Sequence, residues 1–156
     1  MHALVPARAA DLPALNALIL QAIDGWALPA RVKRLSGPSH CYDEVDLKTM
    51  QIAFLPREDG QALGMVALET VGVEEAPEQP AWRLHGIYVA PAAQKTGLGR
   101  ALLAWVQDRA RTAGVRTLTV RAQRDAVGFF QALGFEPLPV STQEHAYPHQ
   151  LFKRLP

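Results

Sequence analysis

Two glycines, Gly97 and Gly99, stand where a strand-like apolar run, Trp82 to Val89, gives way to a helical pattern from Gly97 to Ala113. Leu98, Leu102, Val106 and Ala110 recur every four residues in that pattern, Pro91 ends the strand and Gly114 closes the helix. Glycine costs about 1 kcal/mol relative to alanine in a helix interior, so something other than propensity favours it here. Close backbone approach is such a reason. Without side chains at Gly97 and Gly99, the free N–H groups of a helix start can surround a phosphate or pyrophosphate, aided by the positive end of the helix dipole. Lys95 and Arg100 add charge to the stretch Gln94-Lys95-Thr96-Gly97-Leu98-Gly99-Arg100. On the glycine logic alone, a tight turn without ligand is the alternative. A dinucleotide fingerprint needs a third small residue where Leu102 stands, and a Walker loop needs its lysine after the second glycine, whereas Lys95-Thr96 precede Gly97.

The elements around this turn define the fold class. Thr117 to Ala122 is a β-branched strand, so strand, helix and strand form one right-handed crossover whose two strands are parallel. Glu58-Asp59-Gly60 separates two strand candidates, Met50 to Leu55 and Gln61 to Val71, as an antiparallel hairpin. Gly72 to Pro80 is an acidic connection broken by Pro77 and Pro80. Upstream, His2 to Ala7 reads as a strand, and Asp11 caps a helix to Ile23 with Leu12, Leu15, Leu18, Ile19 and Ala22 on one stripe. Gly25 to Thr49 reads as one short helix and a loop, basic at Arg31, Lys33 and Arg34 and acidic at Asp43, Glu44 and Asp46. Downstream, Asp125 caps a helix from Ala126 to Leu133 closed by Gly134, and a last strand lies near Gln150 to Arg154. This order predicts an α/β fold on a mixed sheet, in a single domain over residues 1–156. At this length about 70% of the unfolded surface can be buried without disulfides or a structural metal.

Composition narrows the function classes. Sixteen Lys and Arg against fifteen Asp and Glu give a net charge of +1, which offers no broad electrostatic case for nucleic acid or an anionic membrane. The N-terminal residues lack the basic and apolar regions of a secretory signal, and no apolar run approaches a membrane span, so a cytoplasmic protein is expected. One cysteine, Cys41, forms no internal disulfide, and beside His40 it reads as a buried or incidental thiol. His145 and His149 have metal-like spacing, but Pro148 breaks the helix that would align them, and no metal is expected. Trp26, Trp82 and Trp105 read as core or interface residues.

Leu84-His85-Gly86-Ile87-Tyr88-Val89-Ala90-Pro91, followed by Gln94, Gly97, Gly99 and Arg100-Ala101-Leu102-Leu103, resembles the acyl-CoA-binding motif of the GNAT superfamily of N-acetyltransferases. A second motif of that superfamily is matched by Leu118-Thr119-Val120-Arg121-Ala122-Gln123, then Ala126, Phe129-Phe130 and Leu133-Gly134-Phe135. Ala122-Gln123 with Pro148-His149 further resembles its ElaA-like branch. The resemblance implies a mostly antiparallel sheet with a central splayed parallel pair and helices on both faces. It implies acetyl-CoA as co-substrate, its pantetheine arm pairing with the backbone at Ile87, Tyr88 and Val89 and its pyrophosphate resting on Gln94, Lys95, Thr96, Gly97, Leu98, Gly99 and Arg100. Gln123 and Phe130 join the coenzyme site by the same resemblance.

The chemistry so implied is direct attack of a primary amine, of a small molecule or a peptide, on the thioester, with no acyl-enzyme. A strand amide would polarise the thioester carbonyl. The ammonium must lose a proton and the departing thiolate must be protonated or stabilised. Many members carry a tyrosine where Phe130 stands; solvent, Tyr88 or Tyr147 are the alternatives, as is weak catalysis. Candidate bases are His149, His85, Glu69 and Glu144. Histidine suits the role because its unperturbed pKa is about 6.5. A non-catalytic acyl-CoA-binding or regulatory module, an interaction domain without coenzyme and a homodimer complete the expectations.

Overall fold

The structure, a computed structural model, describes residues 3–138 and 149–156. In chain order it contains β1 (Val5–Pro6), α1 (Leu12–Asp24), α2 (Ala30–His40), α3 (Glu44–Thr49), β2 (Gln51–Pro56), β3 (Ala62–Val71) and β4 (Ala81–Val89). It continues with α4 (Leu98–Thr112), β5 (Thr117–Arg121), α5 (Val127–Ala132), β6 (Glu136–Pro137) and β7 (Gln150–Arg154). Short 3-10 turns precede α1, α5 and the Gln94 turn. The strands form a seven-stranded sheet in the order β1-β2-β3-β4-β5-β7-β6. The β4–β5 pair is parallel, while β1–β2, β2–β3, β5–β7 and β6–β7 are antiparallel. This is the predicted mixed sheet, with helices flanking it.

Three local expectations are corrected. The Gly25 to Thr49 region holds two helices, not one, because its acidic run is a cap: the Asp43 side chain accepts from the Asp46 N–H at 3.0 Å and Asp46 from the Asp43 N–H at 2.9 Å. Asp11 stands at the N-cap of α1, yet its carboxylate accepts from the Arg8 N–H at 2.8 Å and closes the preceding turn instead. Asp125 is not the N-cap of α5, since Gln123 opens a 3-10 turn over Arg124–Ala126 and α5 begins only at Val127, with Ala126 at its N-cap. The hairpin, the crossover and the last strand fall where the pattern put them, with Gly60, Gly114 and Gly134 in left-handed backbone at their turns.

The chain divides into two compact units, residues 1–68 with 86–106 and residues 69–85 with 107–156. In the first, the apolar stripe of α1 buries Leu15, Leu18, Ile19 and Ile23 in a cluster with Ile52, Phe54, Met65, Ala67 and Tyr88. At about 1.5 to 3 kcal/mol for each large side chain removed from water, that cluster fixes α1 far more strongly than its helix propensity does. In the second, Leu84, Leu118, Val120, Phe130, Phe135 and Leu151 are each at most 4% exposed. Phe130 meets Phe129 and Phe135 edge-on, with ring centroids 5.2 and 5.3 Å apart.

Candidate functional site

In the first unit, strand pleating sends Gly86, Tyr88 and Ala90 to the buried face, while Ile87 and Val89 are half-buried. The pairing of β4 with β5 covers Ala81 to Leu84, and among the described residues Gly86–Val89 run on past its last pair. The strand then enters a 3-10 turn, Pro91–Ala93, and an exposed loop. Gln94 folds back so that its side-chain amide donates to the Val89 carbonyl at 3.2 Å, and the Thr96 hydroxyl donates to the Ala93 carbonyl. Lys95 and Gly97 both adopt left-handed backbone, with φ of 61° and 89°. For lysine that conformation costs about 1 kcal/mol or more, which the turn sustains to aim the chain into α4.

The helix ladder of α4 begins with the Ala101 N–H on the Gly97 carbonyl at 3.0 Å, so the amides of Leu98, Gly99 and Arg100 precede it. A Cβ on Gly97 would meet nothing within 4 Å, so it is the left-handed φ, not crowding, that requires glycine there. Behind the loop, a Cβ on Gly64 would lie 3.0 Å from a Leu102 methyl and 3.3 Å from the Tyr88 carbonyl, so this glycine lets α4 seat tightly on the sheet. The result is a strand backbone leading into a run of helix-start amides, with Lys95 and Arg100 exposed beside it.

Sequence patterns alone did not single out Tyr42 or Asn16, which lie in this same unit. Asn16 grips the Tyr42 backbone twice, donating to its carbonyl and accepting from its N–H, each at 2.9 Å. Tyr42 and Tyr88 are 4% and 8% exposed. Burial first, and the neighbouring Cys41 second, push the Tyr88 hydroxyl up to about 12. Burial likewise raises the Cys41 thiol, whose hydrogen points to the Gly37 carbonyl at 3.8 Å. Cys41, expected as a buried or incidental thiol, is half-buried. His40 packs edge-on against Trp26, with centroids 5.3 Å apart.

In the second unit the acidic connection is tied down. The Glu75 carboxylate accepts from Arg83 through both Nε and Nη2, from the Thr119 hydroxyl at 2.7 Å and from Arg121 at 3.2 Å. Burial alone would raise the Glu75 carboxyl, but the hydrogen bonds of Arg83 and Thr119 and the charges of Arg83 and Arg121 outweigh it and hold the group below its ordinary range. Arg83 also donates to Glu69 at 2.7 Å, so this candidate base is engaged in an ion pair. His85 is exposed two residues along β4 on the same face as Arg83.

His149 is half-buried and its carbonyl accepts from the Ala122 N–H at 2.9 Å at the start of β7. Gln123 is exposed, and its carbonyl accepts from the Ala126 N–H. Phe130 is 2% exposed. Glu144, His145 and Tyr147 lie outside the described residues. Among the described residues, no group of three His, Cys, Asp or Glu side chains is placed to hold a metal ion, and no helix is long and apolar enough to cross a membrane.

Residues 37–153, spanning both motifs, match the acetyltransferase (GNAT) domain family. The chain belongs to the GNAT acetyltransferases. No curated protein matches it. Solved GNAT structures share its fold at low identity. The PaiA N-acetyltransferase from Thermoplasma acidophilum in complex with coenzyme A is 11% identical over 99% of each chain, with a TM-score of 0.76. A GNAT acetyltransferase from Brucella melitensis in complex with acetyl-CoA is 20% identical over 100% of this chain and 89% of that one, with a TM-score of 0.67. The ribosomal-protein-S18-alanine N-acetyltransferase from Escherichia coli is 21% identical over 99% of this chain and 94% of that one, with a TM-score of 0.66.

Proposed function

We propose that this GNAT protein, acting as one functional domain, transfers an acetyl group from acetyl-CoA to a primary amine of a small molecule or a peptide by direct attack on the thioester. The observation that carries this reading is the continuous path from Gly86–Val89, beyond the pairing with β5, through the left-handed Lys95 and Gly97 to the helix-start amides. A pantetheine arm carries amides that a strand backbone can pair, and a pyrophosphate suits amides at the positive end of a helix. Ile87, Tyr88, Val89 and Gln94 through Arg100 are therefore assigned to the coenzyme. Gln123 and Phe130 stay assigned by resemblance alone. Solved GNAT structures with acetyl-CoA or coenzyme A bound support the choice of coenzyme.

Among the candidate bases His85 is the first choice. It is exposed on β4, whereas a proton taken up by Glu69 would come at the expense of its pair with Arg83. His149 and Glu144 remain as bases drawn from the resemblance. Calorimetric titration with acetyl-CoA, and in parallel with NADH and ATP, tests the coenzyme. Selective micromolar binding of acetyl-CoA is expected and justifies an amine screen; no binding overturns the reading. A non-catalytic acyl-CoA-binding module is favoured by one observation, the hydroxyl-free Phe130 ring buried between Phe129 and Phe135. Tight coenzyme binding with no transfer to any amine would select it.

A further inference from the structure

We propose that the Tyr42 hydroxyl is the catalytic acid that protonates the departing coenzyme thiolate. This rests on the acetyl-CoA reading above. The pyrophosphate anchor at Gln94–Arg100 follows the C-terminal end of β4, so an arm running back along Val89, Tyr88 and Ile87 brings its sulfur end toward Gly86. There the strand has a glycine, which weakens a strand and marks the close approach of another group. The approaching groups are two phenols. A Cβ on Gly86 would lie 2.5 Å from Tyr42 Oη and 2.8 Å from the Tyr88 ring. Tyr42 is delivered to this point by the double grip of Asn16, which leaves its backbone little freedom to swing away.

The remaining hydroxyl candidates in the described residues fit less well. Phe130 has none, and Tyr88, pushed up to about 12, is far from the acidity of a thiol. At Gly86 it is the hydroxyl of Tyr42, but only the ring of Tyr88, that comes close. In the reaction the amine nitrogen bonds to the carbonyl carbon, and the C–S bond breaks with its electron pair left on sulfur. Sulfur takes the Tyr42 proton and becomes the coenzyme thiol. The ammonium gives one proton to the base before attack, and the attacking nitrogen loses a second as the tetrahedral intermediate collapses; one of the two is relayed by water to the phenolate and the other is released to solvent, so amide, thiol and one proton are the products.

The test needs no acceptor. Coenzyme A is bound to saturation and the ultraviolet absorbance of its thiolate is followed through the thiol range, with the complex of desulfo-coenzyme A, which lacks the sulfur, as blank. An O–H donor to sulfur favours the thiolate, so Tyr42→Phe is expected to raise the bound thiol pKa by about one unit, a roughly tenfold loss of thiolate near neutral pH. Coenzyme affinity should stay within about twofold, because the variant keeps the ring and loses only the hydroxyl. A merely structural Tyr42 would not move the thiol titration. An unchanged titration in a complex that still binds coenzyme overturns this proposal alone. Failure of the unaltered protein to bind coenzyme A overturns both it and the acetyl-CoA reading.

Discussion

The turn at Gln94–Arg100 and the connection at Gly72–Pro80 both follow strands and both carry charge, yet they treat their polar groups in opposite ways. At Glu75 one carboxylate gathers donors from Arg83, Thr119 and Arg121. At the turn, a lysine is held in left-handed backbone, cationic side chains stand exposed, and the amides of a helix start precede its ladder. The first arrangement lowers free energy within the chain. The second accepts a local cost in aiming the chain into α4, and on the proposed reading a pyrophosphate completes it.

Gly99→Glu separates the two regions most sharply. A bulky anion against the pyrophosphate should reduce acetyl-CoA affinity at least a hundredfold by calorimetry while the melting temperature holds; unchanged affinity would remove the phosphate cradle. Glu75→Gln should do the reverse. Leaving Arg83 with a weaker partner at a largely buried site should cost about 1 to 3 kcal/mol in denaturant unfolding, with coenzyme affinity within about twofold. The pH dependence carries the same sign. The Glu75 carboxyl is held below its unfolded value, so its contribution is fully present above the usual carboxylate range and fades as pH falls through that lowered value. Glu75→Gln should therefore lose less stability between neutral and acid pH than the unaltered protein does.

Phe130→Tyr places a hydroxyl on a ring that is 2% exposed. If the buried hydroxyl finds no partner, about 1 to 3 kcal/mol of stability should be lost. A variant that stays as stable and turns over faster would show that the ring edge opens on the reaction centre. The smallest expected effect is Lys95→Gly, which relieves the left-handed strain and should stabilise by up to about 1 kcal/mol while weakening coenzyme binding severalfold through loss of one charge. Equal coenzyme affinity would show that Lys95 shapes the loop without touching phosphate.

Much of this was legible in the sequence where local rules act alone. Gly114 and Gly134 closed their helices, Glu58-Asp59-Gly60 made its hairpin, and the spacing of Gln94, Gly97 and Gly99 marked both the turn and the family. The misses occur where a side chain chose among several backbone partners. Asp11 bonded backward to Arg8, Asp125 fell inside a 3-10 turn instead of at a helix cap, and Asp43 with Asp46 made a helix out of what read as a loop. The Glu75 network joins residues 8, 44 and 46 positions away, a pattern with no periodicity to detect. Tyr42 left one trace only, a glycine inside the β4 strand.

That trace carries a consequence for the history of the sequence. Asn16, Tyr42 and Gly86 lie on a helix, a loop and a strand, and each constrains the next: the amide fixes the tyrosine backbone, and a side chain at 86 would force the tyrosine hydroxyl to shift. Such a set drifts only together. Among related chains, any branch that acquires a bulkier residue at the position of Gly86 should already have given up the tyrosine, and with it the reason to keep the asparagine.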